Sequence, residues 1–229
     1  MISVNCEGKT TREINQEIRR LVDDGVDEIL IINPGARHNL GVALTQQVRL
    51  IFDGSVGYYC AGMIDGPTVE IRGSVGWGVG EAMMSGTIIV EKNAGNGAAA
   101  SIRGGTVVIR GDAAARAGIA MKGGTVIIGG DAGYMTGFMM QKGTIVICGN
   151  AGEALGDSLY EGRIFVGGEI AELGNDAVVH EPDADDLLFI SDHLSRFGIA
   201  SPGSFKKVIA GRRLWNFDKK ELDIWKEAL

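Results

Sequence analysis

Cysteine is scarce in this chain: Cys6, Cys60 and Cys148 are the three in 229 residues. They form no C-x-x-C pair, so neither a disulfide framework nor a thiolate metal site follows from their spacing, and they read as reduced, buried thiols. Histidine is as rare, and His38, His180 and His193 lie too far apart in sequence for a metal-ligand spacing. Proline numbers 4, which excludes a collagen or a proline-rich linker. No apolar run reaches the ~18 residues that a membrane helix needs. The N-terminus lacks the basic-then-apolar order of a signal peptide, so a cytoplasmic protein is expected. Lys and Arg (22) are outnumbered by Asp and Glu (29), for a net charge of −7. That balance argues against nucleic acid or an anionic membrane as the main partner.

Glycine, in contrast, is abundant at 36 residues, about twice the ~7% of average proteins. In a chain rich in Val and Ile it implies many short strands and many turns. The first element is a helix: Thr10 and Glu13 form a T-x-x-E capping box, Ile14, Ile18, Leu21 and Val22 follow at helical spacing, and Gly25 ends it. A strand over Glu28–Ile32 comes next. From Thr68 the chain then repeats with a period of 19, its rows opening at Thr68, Thr87, Thr106, Thr125, Thr144 and Arg163. The row before fits, with Leu50 and Phe52 in the apolar columns. The segment from Leu30 fits more loosely, with Gly35 under Gly54.

A fixed period of this kind means stacked identical units. The expected fold is all-β, a single-stranded right-handed parallel β-helix of about eight 19-residue coils. An N-terminal helix caps it and a helical or irregular tail ends it. Residues 1–29 are then the capping segment, 30–180 the β-helix, and 181–229 a tail packed on the β-helix or on a partner. Val69, Ile88, Val107, Val126, Ile145 and Ile164 form one interior ladder. Ile71 to Val166 form a second, and Ile64, Met83, Ile102, Met121, Met140 and Leu159 a third. Glycine columns are expected where corners need φ > 0. The Ser/Asn/Asp column after one of them, Ser55 to Asn150, is expected to close turns on the backbone.

The column between the two strand ladders should point outward, yet it reads Glu70, Ile89, Val108, Ile127, Val146 and Phe165. So apolar a face implies a cover, either the chain's own terminal segments or another chain. After Gly168 the pattern decays. Glu181–Asp186 is an acidic breaker, a helix with Leu187, Leu188, Leu194 and Phe197 follows, and Phe205–Leu229 reads as an irregular tail with Arg212, Arg213, Leu214, Trp215 and Phe217.

Catalytic patterns are poorly supported. Gly76-Trp77-Gly78-Val79-Gly80 has the wrong spacing and context for a dinucleotide fingerprint, and Gly118–Thr125 for a phosphate loop. Asp183, Asp185 and Asp186 fit a solvated acidic loop better than a metal cluster. Cys60, beside Tyr58 and Tyr59, has no basic neighbour to activate it. His38 reads as a structural or interface histidine. Hexapeptide acyltransferases share the stacked-coil idea, but no six-residue subperiod exists here, and the coils from Thr68 to Gly168 hold no histidine. The candidate partner interface is therefore Arg37, His38, Asn39, Tyr58 and Tyr59, with the outward column Ile89, Val108, Ile127, Val146 and Phe165. No catalytic, cofactor or metal residue is assigned.

The glycine ladder, together with Asn33-Pro34-Gly35-Ala36-Arg37-His38-Asn39, Gly57-Tyr58-Tyr59-Cys60-Ala61-Gly62-Met63, Gly111-Asp112-Ala113-Ala114-Ala115-Arg116 and Cys148–Ser158, resembles the GXGXG domain at the C-terminus of the glutamate synthase large subunit. It is similar above all to that domain's stand-alone relatives, including the small subunit of N-methylglutamate synthase, over Asn5 to Phe217. The resemblance implies a non-catalytic scaffold subunit of a glutamate-synthase-like complex. A glutamine amidotransferase-like subunit and a synthase subunit carrying FMN and an Fe–S cluster would be the partners, with no cofactor in this chain. The C subunit of formylmethanofuran dehydrogenase shares the same β-helix and is the second family implied. An independent ligand-binding or transferase β-helix, or a homo-oligomer of the isolated chain, remain further alternatives.

Overall fold

A computed structural model describes residues 2–211. Strand β1 (Ile2–Asn5) leads into helix α1 (Thr11–Asp23), and β2 (Glu28–Ile32) returns parallel to β1. The α1 capping box forms as the sequence indicates: the Thr10 side chain accepts from the Glu13 N–H, and Glu13 accepts from the Thr10 N–H. Ile14, Ile18 and Val22 face inward, so α1 closes one end of the core.

Strands β3 (Arg49–Asp53), β4 (Asp65–Ile71), β5 (Ser85–Val90), β6 (Thr106–Ile109), β7 (Lys122–Ile128), β8 (Lys142–Ile147) and β9 (Arg163–Val166) continue the same parallel sheet, a β-solenoid of about seven turns. The register is the 19-residue period itself, with Thr68 opposite Thr87, then Thr106, Thr125, Thr144 and Arg163. A second ladder of single bridges runs Val56, Val75, Ala94, Ala113, Ala132, Ala151, Ile170 on another face. All three expected interior ladders are fully buried. Each such aliphatic side chain contributes about 1.5–3 kcal/mol by leaving water.

The first turn differs from the period. Ile32 lies opposite Asp53, a step of 21 rather than 19, so Gly35 does not sit under Gly54. Residues 1–29 contribute β1 to the sheet as well as the helix. The far end is closed by two strands that the sequence pattern did not reveal. β10 (Ala177–His180) and β11 (Lys206–Ala210) pair antiparallel, and β11 pairs antiparallel with β9. Between them runs α2 (Ala184–Arg196). Arg212, Arg213, Leu214, Trp215 and Phe217 lie outside the described residues.

The Gly-Asx columns work differently from a turn closure. The side-chain oxygens of Ser55, Asn93, Asp112, Asp131 and Asn150 each accept the backbone N–H of the residue 19 positions later, at 2.6–3.1 Å. They tie each coil to the next. At Gly111, Gly130 and Gly149 glycine serves space and not φ: a Cβ there would fall onto the oxygen of Asn93, Asp112 or Asp131, whereas Gly54 beside Ser55 has a φ of +141°. Where Lys92 replaces the glycine, no Ser74 rung reaches Asn93 among the described residues. Positive φ is met elsewhere, as at Gly118 (+67°), and by ordinary residues such as Tyr59 and Met63 (both 57°). Gly149→Ala is expected to cost about 1–3 kcal/mol by overpacking. Part of that loss should be recovered in Gly149→Ala/Asp131→Ala, a pairing that urea unfolding of the single and double variants would read.

The apolar outward column is covered by the chain itself. Val108, Ile127, Val146 and Phe165 are fully buried in a second cluster with Ile190, Leu194, Phe197 and Phe205 from α2 and the segment after it. Those four residues are thus corrected from a partner-facing role, and an oligomer packed through this face loses its surface. Leu187 and Leu188 lie on the outer side of α2, at 49% and 61% exposure. Asp183 and Asp186 form the α2 capping box. Asp186, 1% exposed, also receives Arg163 of β9 at 2.7 Å and Lys207 of β11 at 2.5 Å.

Candidate docking surface

Three consecutive coils bring His38, Tyr58 and Trp77 into one column at a corner of the solenoid. Each sits one residue before a tight left-handed position (Asn39, Tyr59, Gly78), which turns the backbone inward and leaves the preceding side chain projecting. The rings stack: His38 on Tyr58 with centroids 4.4 Å apart, and Tyr58 on Trp77 at 5.2 Å. His38 Nδ1 accepts the Tyr58 N–H at 2.8 Å, which fixes its ring and occupies that nitrogen. Gly57 and Gly76 make the close approach possible. A Cβ on Gly76 would meet the Tyr58 ring, and one on Gly57 would overlap His38 Nδ1.

Tyr58 is 39% exposed and Trp77 51%, so the stack shows its edges to solvent. Beside it lies a hollow of about 350 Å³ walled by Asn39, Val42, Tyr59, Met63, Glu81 and Ala82. Tyr59 (45%) and Met63 (57%) are among the most exposed large apolar side chains in the described residues. Contiguous apolar surface of this kind, rich in rigid aromatics, is what protein interfaces use. Helix α1 fixes the rim. Asn15 donates to the Asn39 carbonyl at 2.7 Å and accepts from the Gly41 N–H at 2.9 Å, and Arg19 donates to the Val42 carbonyl at 3.2 Å.

The fold therefore brings together His38, Asn39, Tyr58 and Tyr59 as a surface. Arg37 does not join them. Its guanidinium folds back onto the Asn33 and Pro34 carbonyls at 3.1 and 3.0 Å, clamping its own turn. Ile89 is half-buried at the margin of the α2 cluster and remote in sequence register from the corner. Sequence reasoning missed Trp77, Met63 and Glu81. The signal was available for Trp77, which stands 19 residues after Tyr58 in the same column.

Nucleophilic chemistry has little to work with. All three cysteines are buried. Burial pushes the Cys60 and Cys6 thiols up, and the Cys148 thiol up to about 11. At pH 8 all three stay protonated and unreactive. Ellman's reagent should therefore titrate almost no thiol in the native chain and three after denaturation. Among the described residues no group of three His, Cys, Asp or Glu is placed to hold a metal ion. No helix there is long and apolar enough to cross a membrane.

Comparison with known proteins agrees with the fold. The GXGXG motif model matches residues 34–183. Protein GlxC of Rhizobium meliloti (strain 1021) is 40% identical over 63 residues, which are 27% of this chain and 28% of that protein. The matched stretch thus spans little more than a quarter of that curated relative. In the crystal structure of the formyltransferase/hydrolase complex FhcABCD from Methylorubrum extorquens with methylofuran, one chain matches with a TM-score of 0.70 and 27% identity. The match covers 82% of this chain and 77% of that one.

Proposed function

This chain belongs to the GXGXG motif family, and we propose that it is a non-catalytic structural subunit of a multi-subunit enzyme complex. The observation that carries this is the aromatic corner: a rigid, solvent-exposed stack beside an apolar hollow, on a chain whose thiols are buried and whose His38 Nδ1 is already bonded. A surface built this way binds well and reacts poorly. The similarity to a chain of a crystallised complex supports the same reading.

The complex we infer is glutamate-synthase-like. A glutamine amidotransferase-like subunit releases ammonia, and a second subunit holding FMN and an Fe–S cluster consumes it to form glutamate or N-methylglutamate. This chain holds the two in place in the cytoplasm and carries neither cofactor. The Gly57–Met63 and Gly111–Arg116 segments, which resemble that family, support this choice. The second reading is a subunit of a formyltransferase/hydrolase-type complex, which the structural match favours. Affinity purification of the tagged chain from its native source separates them. Recovery of an amidotransferase and a flavoprotein is expected. Recovery of formyl-transferring subunits selects the second reading, and a lone chain with activity of its own contradicts both.

A further inference from the structure

The hollow beside the aromatic stack contains a carboxylate that its neighbours leave unpaired among the described residues. Glu81 is half-buried, and its carboxylate has neither a hydrogen bond nor an ion pair among the described residues. Arg19 of α1, which reaches this rim, is directed at the Val42 carbonyl. An unpaired carboxylate beside an apolar wall favours a cation from outside. The rest of the wall sets what kind. Val42, Met63 and Ala82 offer apolar contact along the hollow, and Tyr59 supplies an aromatic ring. Ring and carboxylate converge over Gly78: a Cβ there would lie 2.6 Å from Tyr59 Cδ1 and 3.2 Å from Glu81 Oε2.

We infer that this hollow receives an arginine side chain of a partner subunit, its guanidinium paired with Glu81 and stacked against Tyr59. A planar guanidinium serves both groups at once, bidentate to a carboxylate and face-on to a ring, while its methylene stem lies along the apolar wall. A lysine ammonium satisfies the carboxylate but gives up the planar stack. The volume of about 350 Å³ accommodates one side chain and its immediate backbone, not a folded element. The net charge of −7 favours a basic partner segment in the same sense. The inference rests on the reading of this chain as an assembly subunit and names the chemistry of its contact.

Two measurements test it. In the first, the isolated isotope-labelled chain is titrated with N-acetyl-arginine amide, with the neutral citrulline analogue as control. Saturable amide shifts at Tyr59, Met63 and Ala82 are expected with the arginine probe, and at least about fivefold weaker binding in Glu81→Gln. Equal responses to both probes, or in both proteins, overturn the inference. In the second, assembly with the co-purifying subunits is compared for wild type, Glu81→Gln and Glu81→Arg. About tenfold weaker association is expected for Glu81→Gln, and more for Glu81→Arg, with the melting temperature of the isolated chain unchanged because the Glu81 carboxylate has no partner among the described residues. Unchanged association overturns this inference alone. A wild-type chain that assembles with nothing overturns the assembly reading, and the partner assignment with it, whatever the titration shows.

Discussion

Asp186→Ala is expected to loosen α2 from the solenoid and to lower the unfolding midpoint by roughly 6–12 °C, the equivalent of about 3 kcal/mol in a chain of this length. The carboxylate is 1% exposed and serves three groups: Arg163, Lys207 and the Asp183 N–H of the α2 cap. Its removal leaves Arg163 without a carboxylate and Lys207 with Asp183 alone at 3.5 Å, their side chains 35% and 19% exposed. Their partial access to water places the cost at the low end of the range for broken buried pairs. Asp186→Asn keeps the shape and separates charge from packing. Because α2 covers Val108, Ile127, Val146 and Phe165, its release should also raise binding of a hydrophobic dye and amide exchange in residues 184–196, ahead of the coils. Acid should act in the same direction. The Asp186 backbone N–H, with Lys207 adding to it, holds the Asp183 carboxyl below its ordinary range. That cap is therefore fully in place above about pH 4 and is lost as the pH falls through the depressed folded value.

Phe165→Ala should destabilise by about 3–5 kcal/mol, the usual cost of emptying a buried aromatic site. Phe165 is fully buried between the β9 strand and α2, and the Arg163 guanidinium lies 5.5 Å from its ring centroid. The magnitude discriminates between two covers. Under the chain's own tail, the loss appears in the isolated protein by urea unfolding. If another chain were the cover, the isolated variant would be nearly as stable as wild type, and the loss would appear only on assembly.

The 19-residue columns make most of the solenoid legible in the sequence, because in a stacked fold the sequence period is the strand register. Thr68, Thr87 and Thr106 align in the sheet as they do on paper. Legibility failed where identity of position does not fix its cause. The glycines beside the Asx ladder look like corner glycines, yet Gly130 is glycine because Asp112 from the coil before occupies the place of its Cβ. The left-handed corners held by Tyr59, Met63, Arg116 and Met139 carry no such signature, since residues of that kind rarely adopt the conformation. β11 was hidden for a different reason. Lys206–Ala210 is short, and its antiparallel pairing with β9 is set by the end of the solenoid rather than by its own pattern. The outward column was correctly read as covered, but a sequence of apolar residues does not say by whom. Of the candidate surface, Tyr58 and Tyr59 were found through their motif. Trp77 escaped because its flanking glycines drew attention to a nucleotide loop instead of to the column that it shares with Tyr58.

The aromatic corner is where this chain is expected to meet its partners. Hydroxyl-radical footprinting of the native assembly against the isolated chain reads that directly, side chain by side chain. Oxidation of Tyr59, Met63 and Trp77 should fall at least about fivefold on assembly, since side chains at the centre of an interface lose contact with water. Leu187 and Leu188 on the outer side of α2 serve as the exposed reference. Equal oxidation of the corner in the assembled and isolated states would contradict the account.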